Sequence, residues 1–316
     1  VVPGEKAPRR IETADASDRD AGATTYEDRF GQGFATIGDV FSERLNPERK
    51  KPFDMRQLMR AVVDDDAGYL ERWSIMKDAE TAITWETRVG GHGVGLVGIE
   101  SRPLARLGDI PHDGPETWSG GTLFPESSKK VARAINAWSD RVPVVVLANL
   151  SGFDGSPESL RRLQLEYGAE IGRAVVNFRG PLVFVVVARY HGGAYVVFSK
   201  TLNPSLTAFA LEGSFASVLG GAPAAAVVFP RQVTREAQED PRYAEAVSRL
   251  ENDPSFTQRE FDEVYRAIHA EKQTALAQRF DNIHNIERAR QVGSIDEIIG
   301  VAELRPRIIA AIGNGS

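Results

Sequence analysis

The sequence contains no cysteine among its 316 residues, and it has only three methionines and five histidines. The absence of cysteine excludes disulfides, thiol nucleophiles and cysteine-ligated metals. His92 and His112 stand in loops with no ligand spacing around them, so we expect no metal site. A chain without cysteine fits a reducing compartment, and we expect the protein to be cytoplasmic.

Long apolar runs and an excess of positive charge are also missing. No segment approaches the roughly 18 consecutive apolar residues that a membrane-spanning helix needs, and no signal peptide is recognisable. The formal net charge of −6 argues against nucleic acid and anionic membranes as partners. The chain begins with Val1 instead of methionine, and we expect it to be a fragment of a longer protein.

The strongest pattern lies between residues 142 and 200. Apolar runs at 142–149 and 182–187 are separated by a helical stretch that starts with Ser156 as N-cap and Pro157 at its first position. This spacing predicts a β-α-β unit with two parallel strands buried on both faces.

A pair of glycines, Gly192 and Gly193, follows the second of these strands, and a short helix is expected from Ala194. Backbone N–H groups point outward at a helix N-terminus, and glycine leaves room for a ligand to approach them. The turn is therefore a candidate main-chain oxyanion hole. The alternative interpretation is a tight strand-to-helix turn without a ligand.

The flanking segments are predicted from periodicity and turn residues. Strands at 81–89 and 94–99 are joined by a glycine-rich hairpin at 90–93. A helix over about 125–140 buries Val131, Ile135 and Trp138, so Lys129, Lys130 and Arg133 are expected on its solvated face. The run Asp64–Asp66 is expected to be a solvated helix end.

The C-terminal part is predicted to be mainly helical. Short apolar runs at 209–211 and 225–229 are expected to be strands. A helix should follow over about 234–251, and another begins at Thr257 with a capping box to Glu260. We expect an N-terminal linker at 1–50, a core at 51–232 and a helical C-terminal extension at 233–316.

Several stretches, taken in order, resemble one family. They are Pro52-Phe53-Asp54-Met55, residues 126–133, residues 144–155, Tyr167-Gly168-Ala169, Tyr190 to Tyr195 and residues 288–299. Their order and spacing resemble the C-terminal half of the carboxyltransferases of biotin-dependent acyl-CoA carboxylases, over roughly Lys51 to Ile299.

The resemblance implies an α/β fold of the crotonase/ClpP type, a spiral of β-β-α units. A complete carboxyltransferase of this family has an acyl-CoA-binding half and a biotin-facing half, and this chain resembles the second. The implied partners are the N-terminal carboxyltransferase half, the biotin carboxyl carrier domain, the biotin carboxylase and further copies in a homo-oligomer. Biotin would arrive on the carrier domain, acyl-CoA would be the substrate, and no metal is implied.

Family members move a carboxyl group from carboxybiotin to the α-carbon of an acyl thioester, which leaves negative charge on the urea oxygen of biotin. When the family's site is matched position by position to this sequence, the N–H groups of Gly193 and Ala194 are expected to form the oxyanion hole. Gly192, without a side chain, is expected to leave room for the ligand. The residues expected to contact biotin or substrate are His191, Tyr195, Val196, Gly152 and Phe153. Val196 follows the tyrosine at a position that helps to set acyl-chain length.

Two departures from the family pattern keep alternatives open. His191 replaces an arginine or tyrosine, and Ala222-Pro223-Ala224 replaces Gln-Gly-Ala. One alternative is a non-catalytic half that serves as a scaffold in a multidomain carboxylase. Another is a crotonase-type hydratase or isomerase, which needs an acidic base near the glycine-rich turn; residues 186–200 contain no acid.

Overall fold

The computed structural model describes residues 19–112 and 114–313. The chain forms two compact units: one runs to Val218 and resumes at Ile286, and the other spans Leu219–Asn285.

The strands are β1 (Leu70–Glu71), β2 (Ala82–Val89), β3 (His92–Ile99), β4 (Leu104–Ala105), β5 (Thr117–Trp118), β6 (Thr122–Leu123), β7 (Val144–Leu150), β8 (Gly152–Phe153), β9 (Leu182–His191), β10 (Leu206–Leu211), β11 (Phe215–Ser217) and β12 (Glu297–Ile299).

The α-helices are α1 (Ile37–Val40), α2 (Met55–Val62), α3 (Pro125–Trp138), α4 (Pro157–Arg161), α5 (Gln164–Asn177), α6 (Gly193–Val197), α7 (Gly221–Pro223), α8 (Pro230–Gln238), α9 (Pro241–Asn252), α10 (Gln258–Ile283), α11 (Ile286–Gln291) and α12 (Leu304–Gly313). Short 3-10 segments lie at Pro47–Arg49 and Val301–Glu303, and a π-helix lies at Ala224–Val228. No helix in the described part of the chain is long and apolar enough to cross a membrane.

The first unit is built on a sheet with the strand order β1-β2-β3-β7-β9-β10-β12, and β11 pairs with the distal end of β9. Strands β1, β2 and β3 pair antiparallel, and Gly90 and Gly91 form the predicted hairpin turn with φ values of 59° and 78°. From β3 onward all neighbours are parallel. The predicted parallel pair β7/β9 is confirmed, and its strands carry apolar side chains on both faces, as buried parallel strands do.

The two faces of this sheet bury separate sets of side chains. On one face, Val144 and Val146 of β7 and Phe184 of β9 pack with Ile135 of α3 and Ile171 of α5. Their chain neighbours point the other way, since successive side chains on a strand alternate between faces. Val145, Leu147, Val183 and Val185 therefore join a second cluster with Met59 of α2 and Ile308 of α12.

Residues 19–50 contribute to this second cluster, where the sequence predicts a linker. Tyr26, Phe34, Ile37, Val40 and Phe41 are all buried there. The sequence does not reveal this packing, because the apolar residues of the stretch are widely spaced and each is a weak signal on its own. The part of the predicted linker up to residue 18 lies outside the described residues.

Asp64 is buried, although the sequence predicts a solvated helix end. Its carboxylate accepts hydrogen bonds from the N–H groups of Gly90 and Gly91 at 2.7 and 2.8 Å. It also forms a 2.5 Å ion pair with Arg305 of α12, whose side chain is fully buried. This carboxylate therefore connects the β2–β3 hairpin to α12, while Asp65 and Asp66 are exposed as expected.

Helix α3 confirms the predicted stripe of Val131, Ile135 and Trp138, which are all buried. The basic residues of α3 differ in their exposure to solvent. Lys129 and Arg133 are at least partly exposed, whereas Lys130 is only 2% exposed. The prediction of a solvated basic face is therefore wrong for Lys130.

The second unit consists of α7, the π-helix and α8 to α10. The run at 225–229 is helical and not a strand, because an apolar stretch of this length fits either structure by periodicity alone. The helix predicted at 234–251 is divided in two by Pro241, with Asp240 capping the second part. The capping box of Thr257 and Glu260 is confirmed. The three-segment domain division given above stays a prediction.

Replacing Asp64 with alanine should leave the buried Arg305 guanidinium and two N–H groups without their carboxylate. Removing one partner of a buried ion pair costs about 3–5 kcal/mol of unfolding free energy. Chemical denaturation followed by tryptophan fluorescence measures this, since all four tryptophans lie in the first unit. Asp66→Ala, at an exposed neighbour, is the matched control and should change stability by less than about 0.5 kcal/mol. Equal stability of the two variants would contradict a structural role for the pair.

Candidate active site

The carboxyl ends of β7 and β9 bring the candidate residues together. The two strands are paired up to Leu150 and Tyr190, with an irregularity between Ala148 and Leu150. The chain leaves β7 through Gly152 and leaves β9 through Gly192. Because the strands are adjacent and parallel, both loops emerge at the same edge of the sheet.

Gly152 and Gly192 lie directly against each other. Gly152 has a φ of 135°, and Gly192 has φ 65° and ψ −144°. A Cβ on Gly192 would lie 3.3 Å from the Cα of Gly152. Both the backbone conformation and the close approach therefore require glycine at this position.

Phe153 covers the next glycine of the turn. A Cβ on Gly193 would lie only 2.5 Å from Cδ2 of the Phe153 ring, and a Cβ on Gly168 of α5 would lie 2.9 Å from Cε2 of the same ring. The ring is therefore held between two positions that lack side chains. This contact places Phe153 next to the glycine-rich turn, beside the other predicted site residues.

The N–H groups of Gly193 and Ala194 begin α6, and neither donates a hydrogen bond to any described residue. The first N–H groups of a helix have no acceptor within the helix. The N–H of Gly192 is different, since it donates to the carbonyl of Val218 at 2.9 Å. The turn thus presents two adjacent main-chain donors that can stabilise negative charge developing on an oxygen.

His191 faces β11 from inside the fold. It is 7% exposed, and its Nδ1 lies 3.1 Å from Oγ of Ser217, its register partner on β11. The ring immediately precedes the Gly192–Ala194 turn. His191, which the resemblance places among the residues that contact biotin or substrate, is buried here because β11 pairs with the last residues of β9.

Tyr195 and Val196 on α6 point to different surroundings. The Tyr195 hydroxyl lies 2.6 Å from Oγ of Ser294. The main-chain carbonyl of Tyr195 accepts a hydrogen bond from the Tyr190 hydroxyl at 3.2 Å. Burial raises the pKa of Tyr190, which keeps that hydroxyl protonated as a donor. Val196 is 55% exposed, so the side chain expected to influence acyl-chain length is open to solvent in this chain.

Three residues around the turn escaped sequence reasoning. Ser217 and Ser294 contact His191 and Tyr195, but each comes from a distant part of the chain, and no local pattern marks it. Asn149, near the end of β7, is buried; its Oδ1 has no hydrogen-bond partner within the described chain, while its Nδ2 donates to Ser101. A polar residue ending an otherwise apolar strand was the available signal for Asn149.

In the described part of the chain, histidine and acidic side chains are not assembled for metal binding. Over residues 19–112 and 114–313, no group of three or more such residues is placed to hold a metal ion. The chemistry that this geometry offers is main-chain hydrogen bonding at the start of α6, framed by Phe153 and His191.

Comparison with known proteins gives concordant results. A family model described as the carboxyl transferase domain matches residues 10–313. An acetyl-CoA carboxylase of Cryptosporiopsis sp. is 28% identical over 248 residues, which is 72% of this chain and 11% of that protein. An acetyl-CoA carboxylase of Saccharomyces cerevisiae is 29% identical over 230 residues, or 66% of this chain and 10% of that protein. The chain thus spans about a tenth of the length of these curated relatives.

Among solved structures, transcarboxylase 12S with methylmalonyl-coenzyme A and methylmalonic acid bound superposes with a TM-score of 0.60 at 22% identity. The match covers 84% of this chain and 42% of that one. At this identity the likeness establishes the fold, and the predicted crotonase-type α/β fold is confirmed.

Replacing Gly192 with alanine should destabilise the first unit by about 1–3 kcal/mol, because a side chain is strained at this φ and ψ and meets Gly152. Tryptophan-detected chemical denaturation measures the loss. Gly155→Ala is the matched control, since a Cβ at Gly155 has nothing within 4 Å. If both variants unfold at the same denaturant concentration, the turn does not require glycine.

Proposed function

The chain belongs to the carboxyl transferase domain family, and on that premise we propose that it is the biotin-facing half of a biotin-dependent acyl-CoA carboxyltransferase. In this proposal it supplies half of an active site that transfers a carboxyl group from carboxybiotin to the α-carbon of an acyl-CoA. The observation that carries the proposal is the pair of unpaired main-chain N–H groups at Gly193 and Ala194.

The residues of the turn suit this reaction without side-chain acids or bases. When bound, carboxybiotin supplies the carboxyl group. The N–H groups of Gly193 and Ala194 would donate to the oxygen that gains negative charge as that group leaves. A single donor of this kind is typically worth about 3 kcal/mol of transition-state stabilisation. Gly192, without a side chain, leaves the approach to these donors open.

The surrounding residues have proposed supporting roles. Gly152 and Phe153 would form one wall of the biotin site, with the Phe153 ring fixed against Gly168 and Gly193. Tyr195 would contact substrate while its hydroxyl is held by Ser294. Val196, half exposed, would lie along the acyl chain and favour an aliphatic one.

His191 has a positioning role in this proposal. Its ring lies beside Ser217 and directly precedes Gly192, so it would fix the turn from within the fold and not act as a base. A polar rim contact with substrate would require the ring to leave a buried position.

The partners belong to the same proposal. The two acetyl-CoA carboxylases are about ten times longer than the matched segment, which is consistent with a parent that also carries an acyl-CoA-binding half, a biotin carrier and a biotin carboxylase. The related transcarboxylase 12S is described as a hexamer, so we propose that this chain also acts in a homo-oligomer. A cytoplasmic location is part of the proposal as well.

The proposed activity is tested by measuring decarboxylation of malonyl- or methylmalonyl-CoA that depends on added free biotin. The chain alone should be inactive, and adding the acyl-CoA-binding half of the same enzyme should produce biotin-dependent turnover. The reason is that each half supplies only part of the site. No turnover from a folded, associated pair would contradict the proposal and favour the scaffold alternative. Hydration of an enoyl-CoA by the chain alone would favour the hydratase alternative.

A second experiment tests whether the N–H groups of Gly193 and Ala194 form the oxyanion hole. In Gly193→Ala the new Cβ meets the Phe153 ring, so the first N–H groups of α6 must shift from their positions. Carboxyl transfer by the reconstituted pair should fall about a hundredfold or more, while association of the halves, measured by sedimentation, is retained. Gly155→Ala in the loop after β8 should transfer at the wild-type rate. Full activity in Gly193→Ala would mean that these N–H groups are not the hole.

A further inference from the structure

Gly168 lies in the interior of α5, where it contacts the side chain of Phe153. A helix interior disfavours glycine relative to alanine, so this residue lowers the intrinsic stability of α5. A Cβ on Gly168 would lie 2.9, 3.1 and 3.3 Å from Cε2, Cδ2 and Cζ of the Phe153 ring. Non-bonded carbon atoms pack best at about 3.5–4.0 Å. The ring therefore occupies the space that the Cβ of any other residue at position 168 would need.

Gly172, one turn further along α5, is buried as well but has different surroundings. A Cβ on Gly172 would lie 3.5 Å from Cγ1 of Val197 and 3.6 Å from Cδ1 of Leu202. These are ordinary van der Waals distances. Of these two glycines on one helix, Gly168 excludes a methyl group by contact and Gly172 does not.

The same two atoms of the Phe153 ring also lie against the glycine-rich turn. A Cβ on Gly193 would lie 2.5 Å from Cδ2 and 2.7 Å from Cε2. The backbone of Phe153 is fixed, because β8 pairs with β6 and the N–H of Asp154 donates to the carbonyl of Leu123 at 3.0 Å. One edge of the ring thus contacts both α5 and the first residue of α6.

Helix α5 is anchored at both of its ends. At its start, Nε2 of Gln164 donates to Oγ of Ser128 on α3 at 3.0 Å. At its end, Nδ2 of the buried Asn203 donates to the carbonyls of Val175 and Phe178, at 2.8 and 3.4 Å. A group added at position 168 would therefore displace the Phe153 ring sooner than it would displace the helix.

We propose that Gly168 is a positioning residue for the main-chain donors at Gly193 and Ala194. Its missing side chain lets the Phe153 ring lie at contact distance from both α5 and the turn. A methyl group at 168 would push the ring towards Gly193 or away from the turn, and either movement changes the surroundings of the two N–H groups. The consequence for carboxyl transfer rests on the proposed function, whereas the placement of the donors can be measured without it.

Amide chemical shifts measure this placement in the full chain without substrate. In ¹⁵N-labelled protein, Gly168→Ala should move the amide resonances of Gly193 and Ala194 by more than a linewidth, because a displaced aromatic ring changes the field at nearby nuclei. Gly172→Ala is the matched control and should leave both resonances in place. In a Phe153→Leu background, Gly168→Ala should no longer move them, since no ring is present to transmit the contact.

Activity of the reconstituted pair gives the second measurement. Gly168→Ala should lower kcat for biotin-dependent decarboxylation of malonyl-CoA about tenfold and leave KM for malonyl-CoA unchanged, since the donors act in the transition state. Gly172→Ala should react at the wild-type rate. In the Phe153→Leu background, whose own rate is expected to be lower, adding Gly168→Ala should change kcat by at most about twofold, as expected for two residues that act through one contact.

Several results would overturn the inference. Unmoved Gly193 and Ala194 resonances in Gly168→Ala would show that the ring does not transmit the contact. An equal movement in Gly172→Ala, or in the Phe153→Leu background, would mean that position 168 affects the fold and not the ring. Moved resonances with an unchanged kcat in an active pair would remove the positioning role. Moved resonances together with an inactive wild-type pair would contradict the proposed function and still support the placement of the donors by Gly168.

Discussion

The contact between Gly152 and Gly192 is the constraint on which the candidate active site depends. Adjacent parallel strands run about 4.8 Å apart, so two loops that leave β7 and β9 at one edge must pass each other at backbone distance. A Cβ on Gly192 would lie 3.3 Å from the Gly152 Cα and press the loops apart, and the φ of 135° at Gly152 disfavours a side chain there. Because the loops touch, Phe153 reaches Gly193, where α6 begins with N–H groups that have no acceptor in the described part of the chain. The site geometry is therefore a consequence of strand pairing plus two missing side chains.

That pairing is stable because both faces of β7 and β9 are covered. Helices α3 and α5 cover one face, and α2, α12 and residues 19–50 cover the other. The elements that cover this second face come from opposite ends of the chain. The ion pair of Asp64, which follows α2, with Arg305 of α12 joins the two ends. A buried ion pair is weak evidence for net stability, but it does specify which hairpin meets which helix. The segment that looked like a linker is therefore part of the support for the sheet that positions the site.

The parts that could be predicted from the sequence are those with a local signal. Continuous apolar runs indicated β7 and β9, Ser156 and Pro157 marked the start of α4, and Gly192-Gly193 marked the turn. The rest depends on tertiary contacts. Tyr195 meets Ser294, which lies 99 residues further along the chain, and His191 meets Ser217 only because β11 extends the sheet. The strand predicted at 225–229 was wrong for a different reason, since a short apolar stretch of alanine and valine fits a strand and a helix equally well.

Lys129 and Lys130 show most clearly that the sequence alone does not determine which charged side chains are buried. They are adjacent and chemically identical, and both fall off the predicted apolar stripe of α3. Lys129 is partly exposed and pairs with Glu126, whereas Lys130 is buried beside the start of α2 and the segment that follows β3. The hydrogen bond from Asn149 to Ser101 links the end of β7 to the segment after β3. The segment after β3 and the Gly192–Ala194 turn thus both lie where the parallel strands β3, β7 and β9 end, at the edge of the sheet where loops carry chemistry and the strands behind them keep its geometry.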